Sequence, residues 1–193
     1  MDAIPNTWRG VVGRYNQAPE GIRDYFESIP ELIENYVWEV SLAFMFCRVE
    51  KAMNRMLYCG TVKLHRANST TASSMVDNHH MTRNEFKKLF KNVFGIAIPK
   101  QLNDVLSEAE RVRNKVVHGK AASDADMRKA IVRLLEYAEG MDDLVNRKAQ
   151  FKPFSPDLRG FAGGGERLDA STTHWLMKGL GFESKSAGDA ELG

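Results

Sequence analysis

The stretch PKQLNDVLSEAERVRNKVVHG, residues 99–119, decides the fold class. Its apolar residues Leu102, Val105, Leu106, Ala109, Val112 and Val116 recur at three- and four-residue intervals, the spacing that gathers side chains on one face of an α-helix. Pro99 suits a first turn, where its missing N–H costs no intrahelical hydrogen bond, and Gly119 suits the end. One helix with a single buried stripe is predicted from Pro99 to Gly119.

The same period runs outward on both sides. Upstream, Thr82 and Glu85 fit a capping box, and Met81 and Phe86 fit a hydrophobic staple. Phe86, Leu89, Phe90 and Val93 form the inner face of that helix, and Gly95 suits its end. Downstream, Ser123 is placed to cap a helix from about Asp124 to Arg147, with Asp124 and Asp126 near its positive end. Met127, Ile131, Leu134, Leu135 and Ala138 share one face of it, and Gly140 is tolerated within it. Pro30 to Tyr58 contains no glycine or internal proline and predicts one long helix. From Val40 to Cys47 nearly every position except Ser41 is apolar, so this helix is expected to touch protein on more than one side, centrally or against a second subunit. Cys59 to His80, rich in Ser, Thr, Asn and His, keeps no period and is expected to be a long exposed loop.

The expectation is an all-α fold, an antiparallel helical bundle of about four main helices spanning residues 1–150. A C-terminal extension carries a short helix. After Phe151 the composition changes to Pro153, Pro156 and the run Gly163 to Gly165, followed by a helix expected from Ser171 to Lys178. Residues 151–183 are expected to form an arm packed on the bundle or dimer, anchored by Trp175, Leu176, Leu180 and Phe182. Residues 184–193, polar and small, read as a disordered tail.

With 193 residues, 43% of them hydrophobic, the chain is long enough for one domain with a real core. A net charge of +2 excludes attraction of nucleic acid by a global field, so any such binding must use local patches. Arg83, Lys87, Lys88 and Lys91 form one such run, although a solvated helix face is its commoner meaning. Cys47 and Cys59 lie outside any Cys-x-x-Cys pair, and no stretch is apolar enough to span a bilayer or act as a leader. A cytoplasmic protein away from the membrane is expected. Cys59, His65, His79 and His80 match no common zinc spacing, so neither metal nor cofactor is expected. The Gly163 to Gly165 run lacks the Lys-Ser/Thr of a phosphate loop and reads as a hinge. His174 beside Trp175 would suit stacking on an RNA base, but such a tryptophan more often packs a tail.

Arg113 does not fit its helix. A turn of about 100° per residue places it inside the apolar stripe. Burying a guanidinium costs several kcal/mol unless it is paired. Arg113 therefore needs either a carboxylate, with Glu34, Glu39 and Glu50 available on the long helix, or a function that uses a fixed cation. Asn114 and His118 lie four residues apart on one face, and His118 sits in the last turn, where unpaired carbonyls favour imidazolium. An arginine, an amide and a titratable histidine are what cleavage of a phosphodiester by the neighbouring ribose 2′-OH requires: proton transfer and stabilisation of charge on phosphorus, with no metal demanded. In an unbroken helix His118 projects away from Arg113, so either the helix frays at Gly119 or the two groups meet across a dimer.

The run Arg113-Asn114-Lys115-Val116-Val117-His118-Gly119 resembles the Arg-polar-spacer-His motif of the HEPN superfamily. The resemblance covers roughly Glu31 to Arg147 and places the motif at the end of the penultimate bundle helix. It implies a metal-independent endoribonuclease that acts as a homodimer, two copies of the motif facing one another across a shared RNA cleft. Arg113 would stabilise the scissile phosphate, His118 would act in acid–base transfer or phosphate positioning, and Asn114 would orient one of them. Arg111, Lys115 and Lys120 would bind the RNA backbone, and the product would end in a 2′,3′-cyclic phosphate. A defence or toxin–antitoxin setting with a cognate antitoxin is also implied. The rival expectation is a non-catalytic HEPN-like helical dimer serving as an RNA- or protein-binding module, in which Arg113 is structural or anchors a ligand.

Overall fold

Local capping chemistry sets the helix boundaries in this computed structural model, which describes residues 5–156, 158 and 165–183. Among the described residues there are nine helices and no strand: α1 Trp8–Asn16, α2 Glu20–Tyr25, α3 Ile29–Asn35, α4 Trp38–Leu64, α5 Ser69–Asn78, α6 Arg83–Phe94, α7 Lys100–Val117, α8 Asp124–Ala149 and α9 Ala170–Leu180. The fold is all-α, with α4, α6, α7 and α8 as its main helices.

Thr82 Oγ1 accepts from the Glu85 N–H at 3.3 Å, and the Glu85 carboxylate accepts from the Thr82 N–H at 2.7 Å, which completes the capping box of α6. Those bonds to Thr82 hold the Glu85 carboxyl below its usual range. Gly95, at φ 70°, closes the helix in the left-handed region that favours glycine. Pro99 occupies the capping position of α7, and Ser123 Oγ accepts from the Asp126 N–H at 3.1 Å to open α8.

Three expectations are corrected. First, the helix foreseen from Pro30 to Tyr58 is two helices, because Tyr36 is extended, at φ −131° and ψ 168°. Second, Cys59 to His80 is not a loop. The helix α4 runs through Gly60 to Leu64, and a Cβ on Gly60 would meet Val93 Cγ1 at 2.6 Å and Phe94 Cζ at 2.8 Å. Gly60 is thus a site of close approach by α6 and not a helix stop. The helix α5 follows, capped by Asn68, whose Oδ1 accepts from the Thr71 N–H at 3.1 Å, and it buries Ala72, Met75 and Val76. Third, Trp175 does not anchor the C-terminal segment, since it is 72% exposed. Phe182 is buried as expected, and the helix itself is seated by Thr173 and Met177, one turn apart and both buried. Gly140 makes room for Leu102 of α7, because a Cβ there would overlap that side chain.

By its contacts the chain divides into two compact units that interleave in sequence. Unit 1 is Met1–Ala52, Pro99–Asn146 and Lys152–Leu158; unit 2 is Met53–Ile98, Arg147–Phe151 and Arg159–Gly193. In unit 1, Phe154 is fully buried against Tyr25, Phe26 and Tyr137, and its N–H donates to the buried Asp142 carboxylate at 2.8 Å. Arg48 lies 4.1 Å from the Tyr25 ring centroid, and the Tyr25 hydroxyl donates back to the Arg48 carbonyl at 2.8 Å. In unit 2, Phe90 stacks on Phe94 with ring centroids 4.4 Å apart. There α9 is held by the Asn68 N–H donating to Thr173 Oγ1 at 2.8 Å, and by Asn92 Nδ2 donating to the Leu180 carbonyl at 2.7 Å. The segment expected as one arm, residues 151–183, thus contributes to both units. The tail expected at 184–193, and Gly163 and Gly164 of the expected hinge, lie outside the described residues.

Gly60→Ala is expected to destabilise the protein by about 1–2 kcal/mol, because overpacking a buried contact outweighs the gain in helix propensity. Gly13→Ala in α1, where a Cβ meets nothing within 4 Å, is expected to stabilise it by up to about 1 kcal/mol. Thermal unfolding followed by circular dichroism checks both signs.

Candidate functional site

The helix α7 is regular to Val117, and His118 is its C-cap. Gly119, at φ 66°, turns the chain so that its N–H donates to the Val116 carbonyl at 3.0 Å and the Lys120 N–H donates to the Lys115 carbonyl at 2.8 Å. This left-handed closure leaves His118 exposed at the negative end of the helix. Among the described residues its side chain has no hydrogen bond or ion pair.

Arg113 meets its constraint by being half-buried. Its guanidinium carbon lies 5.6 Å from the centroid of the buried Phe46 ring, and Nη2 is 3.7 Å from Glu50 Oε1. Nη1 donates to Asn114 Oδ1 at 3.4 Å. Of the three candidate carboxylates, Glu50 is the partner. The pair is loose, and both side chains reach water, Arg113 at 38% and Glu50 at 52% exposure. The stem of Arg113 lies in the apolar stripe while its charge stays accessible.

The predicted site residues do not share one face: five lie along α7 and its C-cap, and Lys120 lies beyond them. Arg113 and Asn114 touch each other, whereas His118, five positions on, lies about 140° from Arg113 around the helix axis. Arg111 and Lys115 occupy a further face and line a cleft of about 290 Å³ with Glu108, Asp126, Lys129 and Arg133. Arg133 is buried there, donating to Glu108 at 3.1 Å and to Glu136 at 2.6 Å. Burial pushes the Glu108 carboxyl up, but Arg133 and Lys129 outweigh it and hold the group below its usual range. Arg111, Lys115 and Asp126 of the cleft have no ion-pair partner among the described residues. Lys120 is exposed in the turn after His118.

One feature beside Arg113 was only partly foreseen. Tyr36 (59%), Val37 (65%) and Val40 (41%) are exposed and lead into exposed Ala43 and Cys47 along α4. Val117, one turn beyond Arg113 on α7, is 62% exposed. The all-round apolar character of Val40 to Cys47 signals this strip, but only the packing of Leu42, Met45 and Phe46 inward shows which side is left open.

Two of the histidines weighed as metal ligands have other partners. His65 Nε2 is 2.8 Å from the Val93 carbonyl, and His79 Nδ1 accepts from the Glu183 N–H at 3.1 Å. Burial pushes the Cys59 thiol up to about 12. No protein-family model matches the chain, and no curated protein or solved structure matches it significantly.

Because the Arg113–Glu50 pair is open to solvent, Glu50→Gln is expected to change stability by less than about 1 kcal/mol. Phe46→Ala is expected to cost about 3–5 kcal/mol through loss of the buried ring. Urea denaturation of the two variants separates the solvent-facing pair from the core residue beneath it.

Proposed function

We propose that this chain is a HEPN-type, metal-independent endoribonuclease that works as a homodimer with a composite site. The observation that carries the reading is Arg113 itself, an accessible guanidinium held over Phe46 at the border of an exposed apolar strip. His118, without a side-chain partner among the described residues, caps the same helix. Burying the strips of two chains against each other would remove Val40 and Cys47 from water and bring two Arg113 side chains towards a common cleft. Since His118 lies away from Arg113 on one chain, an arginine of one protomer acting with a histidine of the other accounts for both placements.

In that site the ribose 2′-oxygen attacks phosphorus and the bond to the 5′-oxygen breaks, giving a 2′,3′-cyclic phosphate and a 5′-hydroxyl. Arg113 offsets the charge that builds on the phosphoryl oxygens, His118 moves the proton, and Asn114 holds Arg113 through the contact to its Oδ1. Arg111, Lys115 and Lys120 hold flanking phosphates. The family resemblance supplies the setting, a cytoplasmic defence or toxin–antitoxin system with a cognate antitoxin. No described helix is long and apolar enough to cross a membrane. That Arg113 has a carboxylate partner at all, in Glu50, favours one second reading, a non-catalytic binding module whose Arg113 is structural.

Wild type, Arg113→Ala and His118→Ala are to be compared on mixed RNA in excess EDTA, with analysis of product ends. Cutting that resists EDTA, leaves cyclic phosphates and falls roughly 100-fold or more in each variant is expected. No cutting, or equal cutting by all three, favours the binding module.

The dimer surface has its own readout, because Cys47 is the exposed thiol and Cys59 is buried. Native dimer is expected to react with a thiol reagent at neither cysteine, and Val40→Glu, as a monomer, at one. A single reactive thiol at every wild-type concentration would place the interface elsewhere.

A further inference from the structure

The two units carry opposite charge. Unit 1 holds 14 Lys and Arg against 18 Asp and Glu, while unit 2 holds 13 against 7, so a chain of net charge +2 is divided into −4 and +6. Arg113 and His118 belong to the acidic unit. Attraction for a polyanion is therefore concentrated in unit 2.

Within unit 2, α6 presents exposed Lys88 and Lys91, and its acidic residue, Glu85, is engaged in the capping box. Asn92, beside Lys91, donates to the Leu180 carbonyl at 2.7 Å, which ties the last turn of α6 to the last turn of α9. That end of α9 bears exposed Lys178 and, one turn earlier, Trp175 at 72% exposure. None of the three lysines has an ion-pair partner among the described residues. Trp175 is turned away from the buried side of its helix, which Thr173 and Met177 form.

Unpaired lysines and an exposed indole together match the chemistry of a single strand. Ammonium groups neutralise successive phosphates, and the indole face stacks on a base that has no partner. A duplex keeps its bases stacked on each other and offers none to the indole, and an acidic protein would meet only the lysines.

We infer that the outer faces of α6 and α9 form a docking platform for single-stranded RNA, with Lys88, Lys91 and Lys178 on phosphates and Trp175 stacked on a base. The choice of RNA over DNA rests on the ribonuclease reading; the platform itself does not.

The test uses the full chain and a fluorescent 2′-O-methyl oligouridylate of about 12 nucleotides, long enough for one such groove and unable to be cleaved by its own 2′-oxygen. Fluorescence anisotropy gives the affinity. Trp175→Ala is expected to weaken binding roughly tenfold and Trp175→Phe to retain most of it, since a phenyl ring still stacks. Lys88→Glu with Lys91→Glu is expected to weaken it further and to flatten the log–log salt dependence by about 0.7 per lost phosphate contact. Lys100→Ala, which removes an exposed lysine of unit 1 outside the platform, is expected to bind like wild type. Wild-type affinity in the Trp175→Ala and double-lysine variants overturns the platform, as does equal binding of a duplex of the same length. Binding that depends on Trp175 without any RNA cleavage would sink the nuclease and leave the platform standing; cleavage with no role for Trp175 or these lysines would do the reverse.

Discussion

The guanidinium of Arg113 lies over the Phe46 ring because a charge on the apolar stripe of α7 must reach water while its methylene stem stays dry. That requirement shapes the surroundings. The helix α4 supplies a flat aromatic surface at Phe46 and a carboxylate one turn on at Glu50, both inside unit 1. A sealed pair would have spent the charge on structure, whereas a 3.7 Å contact between partly exposed groups leaves it available to an anion.

The end of α7 answers a second requirement. Gly119 adopts a left-handed backbone at φ 66° and satisfies the last carbonyls with the N–H groups of Gly119 and Lys120. The His118 side chain takes no part in that closure and is exposed, without a hydrogen bond or ion pair among the described residues. The exposed strip of α4 and Val117 adjoin this region, and water is a poor neighbour for them. A second chain would solve the apolar surface and the separation of Arg113 from His118 together.

Electrostatics separates the roles of the two units. The acidic unit holds the candidate chemistry, and the basic one holds α6, α9 and the exposed Trp175. Burial of Thr173, Met177 and Phe182 fixes the α9 segment, so the indole is not required for packing. The clearest structural departure from the expected arm is thus also what frees Trp175 to act on a ligand.

The helices α6, α7, α8 and α9 were legible in the sequence because their signals are local: a Thr82–Glu85 capping box, a stripe of period near 3.6, Ser123 at an N-cap, and apolar residues ahead of a glycine. The motif residues were legible for the same reason, as an arginine out of place on a patterned helix. Tertiary structure decided the rest. Gly60 looks like a stop until Val93 and Phe94 are seen against it, and α5 looks like a loop because Ser and Thr have weak helix propensity, until burial of Ala72, Met75 and Val76 compensates. Which glutamate meets Arg113, which side of α4 stays bare and whether Trp175 faces inward all depend on partners distant in sequence. Helix period fixes the angle between residues on one helix, but only packing against others fixes which angle faces water.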